Sequence, residues 1–169
     1  MIVLVLGGTR SGKSEVAERL AAEQGAPVTF VATALVDDPE LAARVEAHRA
    51  RRPATWSTVE SGPDLPEVVA RIEGPALVDS LGTWVARVPE MTVDAGALVR
   101  ALEQRTSPSV VVSEEVGLSV HPTTEAGRRF IDTLGDVNRA VAAVADRVLL
   151  VVAGRALQLD PVGELPGSG

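Results

Sequence analysis

The sequence has 169 residues, of which 46% are hydrophobic and 23% are charged, with a formal net charge of −7 and no cysteine. This length predicts one domain with a full core, and the lack of cysteine excludes disulfides and thiolate metal sites. The acidic balance argues against nucleic-acid binding. No apolar run is long enough for a membrane span, and the sequence starts in a strand pattern without a signal peptide. We therefore expect a cytoplasmic protein.

Strand patterns alternate with helical patterns along the chain. Apolar runs predict strands at residues 2–6, 28–32, 56–60, 75–79, 109–113 and 148–152, the last of which should close the sheet. Helical patterns follow at about 15–21, 38–52, 65–72, 97–105 and 125–146. The alternation predicts an α/β fold, a doubly wound, mainly parallel sheet with helices on both faces and sites at the carboxyl ends of its strands. We expect residues 1–159 to form this single domain and residues 160–169 to be a frayed tail.

The segment between the first strand and the first helix matches the phosphate-loop pattern GxxxxGK[ST]. This segment, the phosphate loop, comprises Gly7, Gly8, Thr9, Arg10, Ser11, Gly12, Lys13 and Ser14. Its glycines let backbone N–H groups surround a phosphate at a helix N-terminus, as in P-loop nucleoside triphosphatases. Lys13 would reach the outer phosphates and the Ser14 hydroxyl would hold Mg²⁺. Lys13 is the only lysine in the sequence, which favours a role for a compact ammonium that arginine cannot fill. The alternative is a glycine-rich turn that binds nothing.

Acidic residues follow two of the predicted strands. Asp79 ends an Ala-Leu-Val strand, a pattern typical of the acid that organises Mg²⁺ directly or through water, although an aspartate there could instead cap a helix. Glu115 could act as a base for an acceptor hydroxyl, as a second metal partner, or as an ordinary loop acid. His121 precedes a proline and is assigned no role.

A histidine lies among arginines on the second predicted helix. Arg44, Arg51 and Arg52 stand three or four residues from His48, so they share its side of a helix. Nearby positive charge favours the neutral imidazole, whose lone pair a nucleophile needs. The arginines could bind phosphate oxygens in bidentate fashion. The alternative is a solvated basic face with an incidental histidine.

Five segments in this order resemble one enzyme family. They are residues 7–14, the region of Thr33, the HRARRP sequence at 48–53, Asp79-Ser80-Leu81 with Trp84, and Glu115-Val116-Gly117. Together, over about residues 1–155, they resemble the bifunctional adenosylcobinamide kinase/adenosylcobinamide-phosphate guanylyltransferases of cobalamin biosynthesis. The phosphate loop alone is unspecific, whereas the HRxRRP-type segment at this distance from it is distinctive.

The resemblance implies two linked transfers and a set of site residues. In that family, ATP or GTP phosphorylates the aminopropanol hydroxyl of a corrinoid, and GMP then passes from GTP through a histidine to the corrinoid phosphate. The resemblance implies His48 as that histidine, Mg²⁺ as the cation, and a homotrimer. It also implies a set of nucleotide contacts, namely the phosphate loop, Thr33, Ala34, Leu35, Arg49, Ala50, Arg51, Arg52, Glu60 and Asp79. The Glu60 carboxylate would accept hydrogen bonds from guanine.

Two positions depart from the family's pattern. Gly82-Thr83 stands where a Thr-Leu pair is expected, and Glu114 stands where asparagine is common; we interpret both as parts of corrinoid-facing loops. The alternative functions are a single-activity P-loop small-molecule kinase and a non-enzymatic GTP-binding module. A guanine-binding NKxD motif is impossible in a sequence whose single lysine is Lys13.

Overall fold

A computed structural model describes residues 1–34, 52–118 and 120–164. Within these residues, seven strands form one sheet in the order β3-β2-β4-β5-β1-β6-β7. The strands are β1 (Ile2–Gly7), β2 (Thr29–Ala32), β3 (Ser57–Glu60), β4 (Ala76–Asp79), β5 (Ser109–Glu114), β6 (Arg147–Val152) and β7 (Arg155–Leu159). All neighbours pair in parallel except β6 and β7, so the predicted mainly parallel sheet is confirmed.

The helices cover both faces of this sheet. They are α1 (Lys13–Ala22), α2 (Leu65–Arg71), α3 (Leu81–Arg87), α4 (Ala95–Glu103) and α5 (Glu125–Val144), with 3₁₀ turns at Pro89–Met91 and Val162–Glu164. The helix expected at 38–52 falls almost entirely outside the described residues. None of the helices in the described ranges is both long enough and apolar enough to cross a membrane.

The core consists of two clusters, one on each face of the sheet, and β1 contributes side chains to both. Val3 and Val5 pack with α1 on one face of the sheet. Leu4 and Leu6 pack on the other face, where α5 contributes Leu134 and its neighbours. Burial on both faces explains the continuous apolar run of β1. It also fixes the phosphate loop at the centre of the sheet's carboxyl edge.

The expectation that residues 148–152 close the sheet is wrong, because β7 adds one further, antiparallel strand. Ala153 and Gly154 both have positive φ angles, 50° and 73°, as a two-residue type I′ hairpin turn requires. Every residue of β7 is exposed. Its sequence therefore lacks the apolar run by which the other strands were predicted.

Helix α3 was also missed by the sequence analysis. Ser80 caps it by accepting the N–H of Thr83, and the Thr83 hydroxyl accepts the N–H of Ser80 in return. Leu81, Trp84 and Val85 face the core. Because Ser80 is the cap, the alternative interpretation of Asp79 as a helix-capping residue is wrong.

Candidate phosphate-binding site

The phosphate loop joins β1 to α1 in the predicted strand–loop–helix arrangement. A Cβ atom on Gly7 would lie 2.7 Å from the Val151 carbonyl oxygen, so a side chain has no room there. Gly12 precedes α1 with φ 93°, a left-handed conformation that glycine adopts without strain. The Ser11 carbonyl accepts the Gly154 N–H at 2.8 Å, so the turn between β6 and β7 is hydrogen-bonded to the phosphate loop and supports it.

Lys13 is folded back over the loop. Its Nζ lies 3.4 Å from the Gly8 carbonyl oxygen and 3.5 Å from Oε1 of Glu114. The Lys13 side chain is 12% exposed and that of Glu114 is 25% exposed. The ammonium is therefore held at the loop rather than extended into solvent.

Glu114 in turn is fixed to the start of α3. The Ser80 hydroxyl donates to its two carboxylate oxygens at 2.9 and 3.0 Å, and the Gly82 N–H donates to Oε2 at 3.0 Å. The Asn138 side-chain amide donates to the Glu114 backbone carbonyl at 3.0 Å. The assignment of Gly82 and Glu114 to corrinoid-facing loops is therefore corrected: Gly82 lies in the first turn of α3, and Glu114 ends β5 beside the lysine of the phosphate loop.

Asp79 ends β4, and Thr33 directly follows the neighbouring strand β2. Asp79 is half-buried and pairs in register with Ala32 and Val112. Thr33 is fully buried; its hydroxyl donates to the Ser80 carbonyl at 2.7 Å and accepts the Ser80 N–H at 2.8 Å. The Thr33 side chain thus holds the backbone that follows Asp79, a role that residue type alone did not indicate.

Two of the other predicted nucleotide contacts lie at the carboxyl ends of the adjacent strands β3 and β2, where Glu60 pairs in register with Ala32. Glu60 is exposed at the end of the edge strand β3, and Ala34 is half-buried after β2. Arg52 is 8% exposed, with its Nε 3.4 Å from Glu18 Oε1, so it lies against α1. The remaining predicted site residues lie outside the described residues: Leu35, His48, Arg49, Ala50 and Arg51.

Arg87 is a further residue that the sequence analysis missed. One guanidinium nitrogen, Nη1, donates to the Thr33 carbonyl at 2.8 Å and to the Ser61 carbonyl at 2.6 Å. The last turn of α3 thereby ties together the chain that leaves β2 and β3. The serine cap of α3 and the apolar spacing behind it could have indicated the helix that carries Arg87, but not its contacts with Thr33 and Ser61.

The donor set at the loop fits Mg²⁺ carried by a nucleotide. Ser14 stands in the first turn of α1 and Asp79 at the end of β4. Among residues 1–34, 52–118 and 120–164, no group of three or more His, Cys, Asp or Glu side chains could hold a metal. Mg²⁺ is commonly bound by one or two protein oxygens together with phosphate oxygens and water. A hydroxyl and one carboxylate are therefore a sufficient protein contribution.

A large cavity lies beside α5 and reaches Leu6 and Glu115, next to the start of the phosphate loop. It has a volume of about 1080 Å³ and lies between α5 and the β6–β7 hairpin. Its lining is rich in acids, namely Glu115, Asp132, Asp136, Asp146 and Asp160. The Glu115 carboxylate also accepts the Gly117 N–H at 2.7 Å, which supports the interpretation of Glu115 as a loop acid.

Comparison with known sequences gives matches to one enzyme family. The family model described as cobinamide kinase/cobinamide phosphate guanyltransferase matches residues 3–159. A protein of Pseudomonas aeruginosa named bifunctional adenosylcobalamin biosynthesis protein CobP is 40% identical over 92% of this chain and 95% of its own length. Proteins named bifunctional adenosylcobalamin biosynthesis protein CobU from Escherichia coli and Salmonella typhimurium are 34% and 36% identical, each over 91% of this chain and 97% of its own length.

Comparison with solved structures bears on the fold alone. A structure described as a prototypical ATPase from the type III secretion system of pathogenic bacteria superimposes with a TM-score of 0.56. The match covers 88% of this chain and 51% of that chain, at 11% sequence identity. It supports the P-loop nucleoside triphosphatase-like arrangement of the sheet.

Proposed function

Because the chain belongs to the cobinamide kinase/cobinamide phosphate guanyltransferase family, we propose that it catalyses two successive transfers to a corrinoid. The first phosphorylates the aminopropanol hydroxyl of adenosylcobinamide with ATP or GTP. The second transfers GMP from GTP through His48 and gives adenosylcobinamide-GDP. The observation that supports the proposal most directly is the phosphate loop, with the Lys13 ammonium close to the Gly8 carbonyl.

In the first transfer the acceptor hydroxyl attacks the γ-phosphorus of the nucleotide. A bond forms between the acceptor oxygen and this phosphorus, the bond to the β–γ bridging oxygen breaks, the nucleoside diphosphate leaves, and the hydroxyl proton passes to solvent. Backbone N–H groups of the loop and the Lys13 ammonium stabilise the negative charge on the phosphate oxygens. Ser14 and Asp79 would hold Mg²⁺, directly or through water, and the cation would supply positive charge to the phosphates.

In the second transfer His48 acts as the covalent nucleophile. An imidazole nitrogen attacks the α-phosphorus of GTP, an N–P bond forms, and pyrophosphate leaves. A phosphate oxygen of the corrinoid then attacks the same phosphorus, which breaks the N–P bond and frees the imidazole. Arg49 and Arg51 beside His48 would bind the phosphate oxygens, and Glu60 would accept hydrogen bonds from guanine.

We also propose a homotrimeric assembly and a cytoplasmic location. The family resemblance supports a homotrimer, and nucleoside triphosphates are supplied in the cytoplasm. Sedimentation at micromolar concentration tests the trimer, and a monomer there would contradict it.

The test is covalent labelling with α-³²P-GTP. Wild-type protein should carry a label that survives denaturation and alkali and is lost in acid, as expected of a phosphoramidate. His48→Asn should carry none, because the carboxamide lacks the basic lone pair, yet it should still phosphorylate the corrinoid. A single-activity kinase would show no label in either protein, and a binding module would show no product at all.

A further inference from the structure

We propose that Glu114 is a positioning residue of the kinase step, which fixes the Lys13 ammonium for the outer phosphates of the nucleotide. The proposal rests on the proposed kinase activity. It is carried by three features of the structure: the anchoring of the Glu114 carboxylate, the space left for it by Gly82, and the contact with Lys13.

The carboxylate that contacts Lys13 is also held by the start of α3. The Ser80 hydroxyl and the Gly82 N–H donate to it at 2.9–3.0 Å, and both donors belong to the capped start of α3. Ser80 is itself fixed through its backbone by the buried hydroxyl of Thr33. A glutamate normally has free side-chain torsions, and these contacts restrict them.

Gly82 makes room for the carboxylate. A Cβ atom on Gly82 would lie only 2.9 Å from Cδ of Glu114 and would overlap Oε2. The backbone of Gly82 is in an ordinary helical conformation within α3, so glycine is needed there for space rather than for its φ angle. Any larger residue at position 82 would push the carboxylate away from Lys13.

The contact with Lys13 leaves the ammonium able to act. An ammonium has three N–H donors, and the Gly8 carbonyl and Glu114 lie 3.4 and 3.5 Å from Nζ. These two acceptors define the orientation of the group and leave a third donor for a phosphate oxygen. Glu114 therefore acts through Lys13, without having to touch the nucleotide.

The first test separates positioning from binding. Removing a negative charge near a triphosphate weakens the Coulomb repulsion that opposes nucleotide binding, so Glu114→Gln should bind ATP at least as tightly as the wild type. Without the ion pair Lys13 is no longer held in place, so kcat for corrinoid phosphorylation should fall at least tenfold. Glu125→Gln is the matched control, because it removes the same charge from an exposed carboxylate paired with Arg129 and should leave both quantities unchanged.

The second test moves Glu114 without mutating it. In Gly82→Ala the new Cβ displaces the Glu114 carboxylate, so kcat should fall while the protein stays folded at the assay temperature, which thermal unfolding checks. In a Glu114→Asn background the shorter side chain leaves space for that Cβ, and the same substitution should have little further effect. Independent, additive effects of the two substitutions would overturn the proposal.

The third test does not depend on a measurement of catalytic turnover. Lys13 is the only lysine in the chain, so protein made with ¹³Cε-lysine gives one lysine signal, whose relaxation reports the mobility of this side chain. We expect a restricted side chain in the wild type and a mobile one in Glu114→Gln and Gly82→Ala.

The outcomes distinguish this inference from the proposed function. A wild type that does not phosphorylate the corrinoid would refute the proposed function while the mobility of Lys13 still tests Glu114. Unchanged mobility of Lys13 in Glu114→Gln, a kcat within twofold of the wild type, or a loss of activity that merely follows a fall in melting temperature would each overturn the role of Glu114.

Discussion

The guanidinium carbon of Arg52 lies 3.2 Å from the centroid of the Phe30 ring. The same guanidinium pairs with Glu18 of α1 through Nε. Phe30 is a buried residue of β2, so this contact attaches the chain at residue 52 to the core beside α1. Arg52 therefore has a stabilising role in addition to the phosphate contact expected from sequence.

Replacing Arg52 should lower stability through the contact with Phe30. A cation over an aromatic face contributes about 0.5–2 kcal/mol, so Arg52→Ala should lower the free energy of unfolding by at least this amount. A double-mutant cycle with Phe30→Leu, followed by denaturant unfolding, measures the coupling. A coupling energy below about 0.3 kcal/mol would show that the two side chains act independently.

Lys13 should be indispensable for phosphoryl transfer. Lys13→Ala removes the ammonium from the phosphates, and loss of one such group costs about 10²–10³-fold in kcat. Lys13→Arg should fail as well, because the planar fork cannot occupy the position between Gly8 and Glu114. Steady-state formation of the corrinoid phosphate measures both variants, and near-normal turnover in either would refute the assignment.

Gly7 should tolerate no side chain. In Gly7→Ala the new Cβ meets a backbone carbonyl oxygen of β6 at 2.7 Å, which cannot move without distorting the sheet, so we expect a loss of about 1–3 kcal/mol of stability. Gly8→Ala is the matched control for stability, since a Cβ there has no neighbour within 4 Å. Thermal unfolding of the two variants should differ clearly; equal melting temperatures would contradict the clash.

Arg105 should be a stability residue far from the site. It donates to the carbonyls of Val69, Ile72 and Gly74 and to the Ser109 hydroxyl, and burial lowers the pKa of its guanidinium. Arg105→Ala leaves these acceptors without their donor, so we expect a loss of about 2–3 kcal/mol.

A surface arginine provides the control for that loss. Arg100→Ala removes an exposed arginine from α4 and should change stability by less than about 0.5 kcal/mol. Urea unfolding compares the two variants. An equal effect of both would show that the acceptors around Arg105 find other donors.

The sequence allows much of the fold to be predicted because its central strands are buried on both faces. The continuous apolar runs of β1, β4 and β5 are visible without a structure, and so is the glycine pattern between β1 and α1. Strand β7 was missed because an exposed edge strand needs no apolar run. Helix α3 was missed because its cap, Ser80, comes directly after β4, with no proline or glycine break to separate the two elements.

The candidate site was less predictable, since its contacts join residues distant in sequence. Lys13 and Ser14 are marked by a local motif, whereas Glu114 reaches Lys13 only because β5 pairs with β1. Thr33 and Arg87 likewise act through backbone groups of other strands. No local pattern encodes such contacts. The roles expected of His48 and its neighbouring arginines remain predictions from the family resemblance.

The fit between Gly82 and Glu114 constrains how this pair could arise by mutation. A glutamate introduced at position 114 while position 82 still carried a side chain would have its carboxylate blocked by that side chain. A glycine introduced first at position 82 would leave only a small gap beside a shorter residue. The order that keeps the Glu114 carboxylate beside Lys13 is therefore glycine before glutamate, and in the reverse direction the glutamate is lost before position 82 regains a side chain.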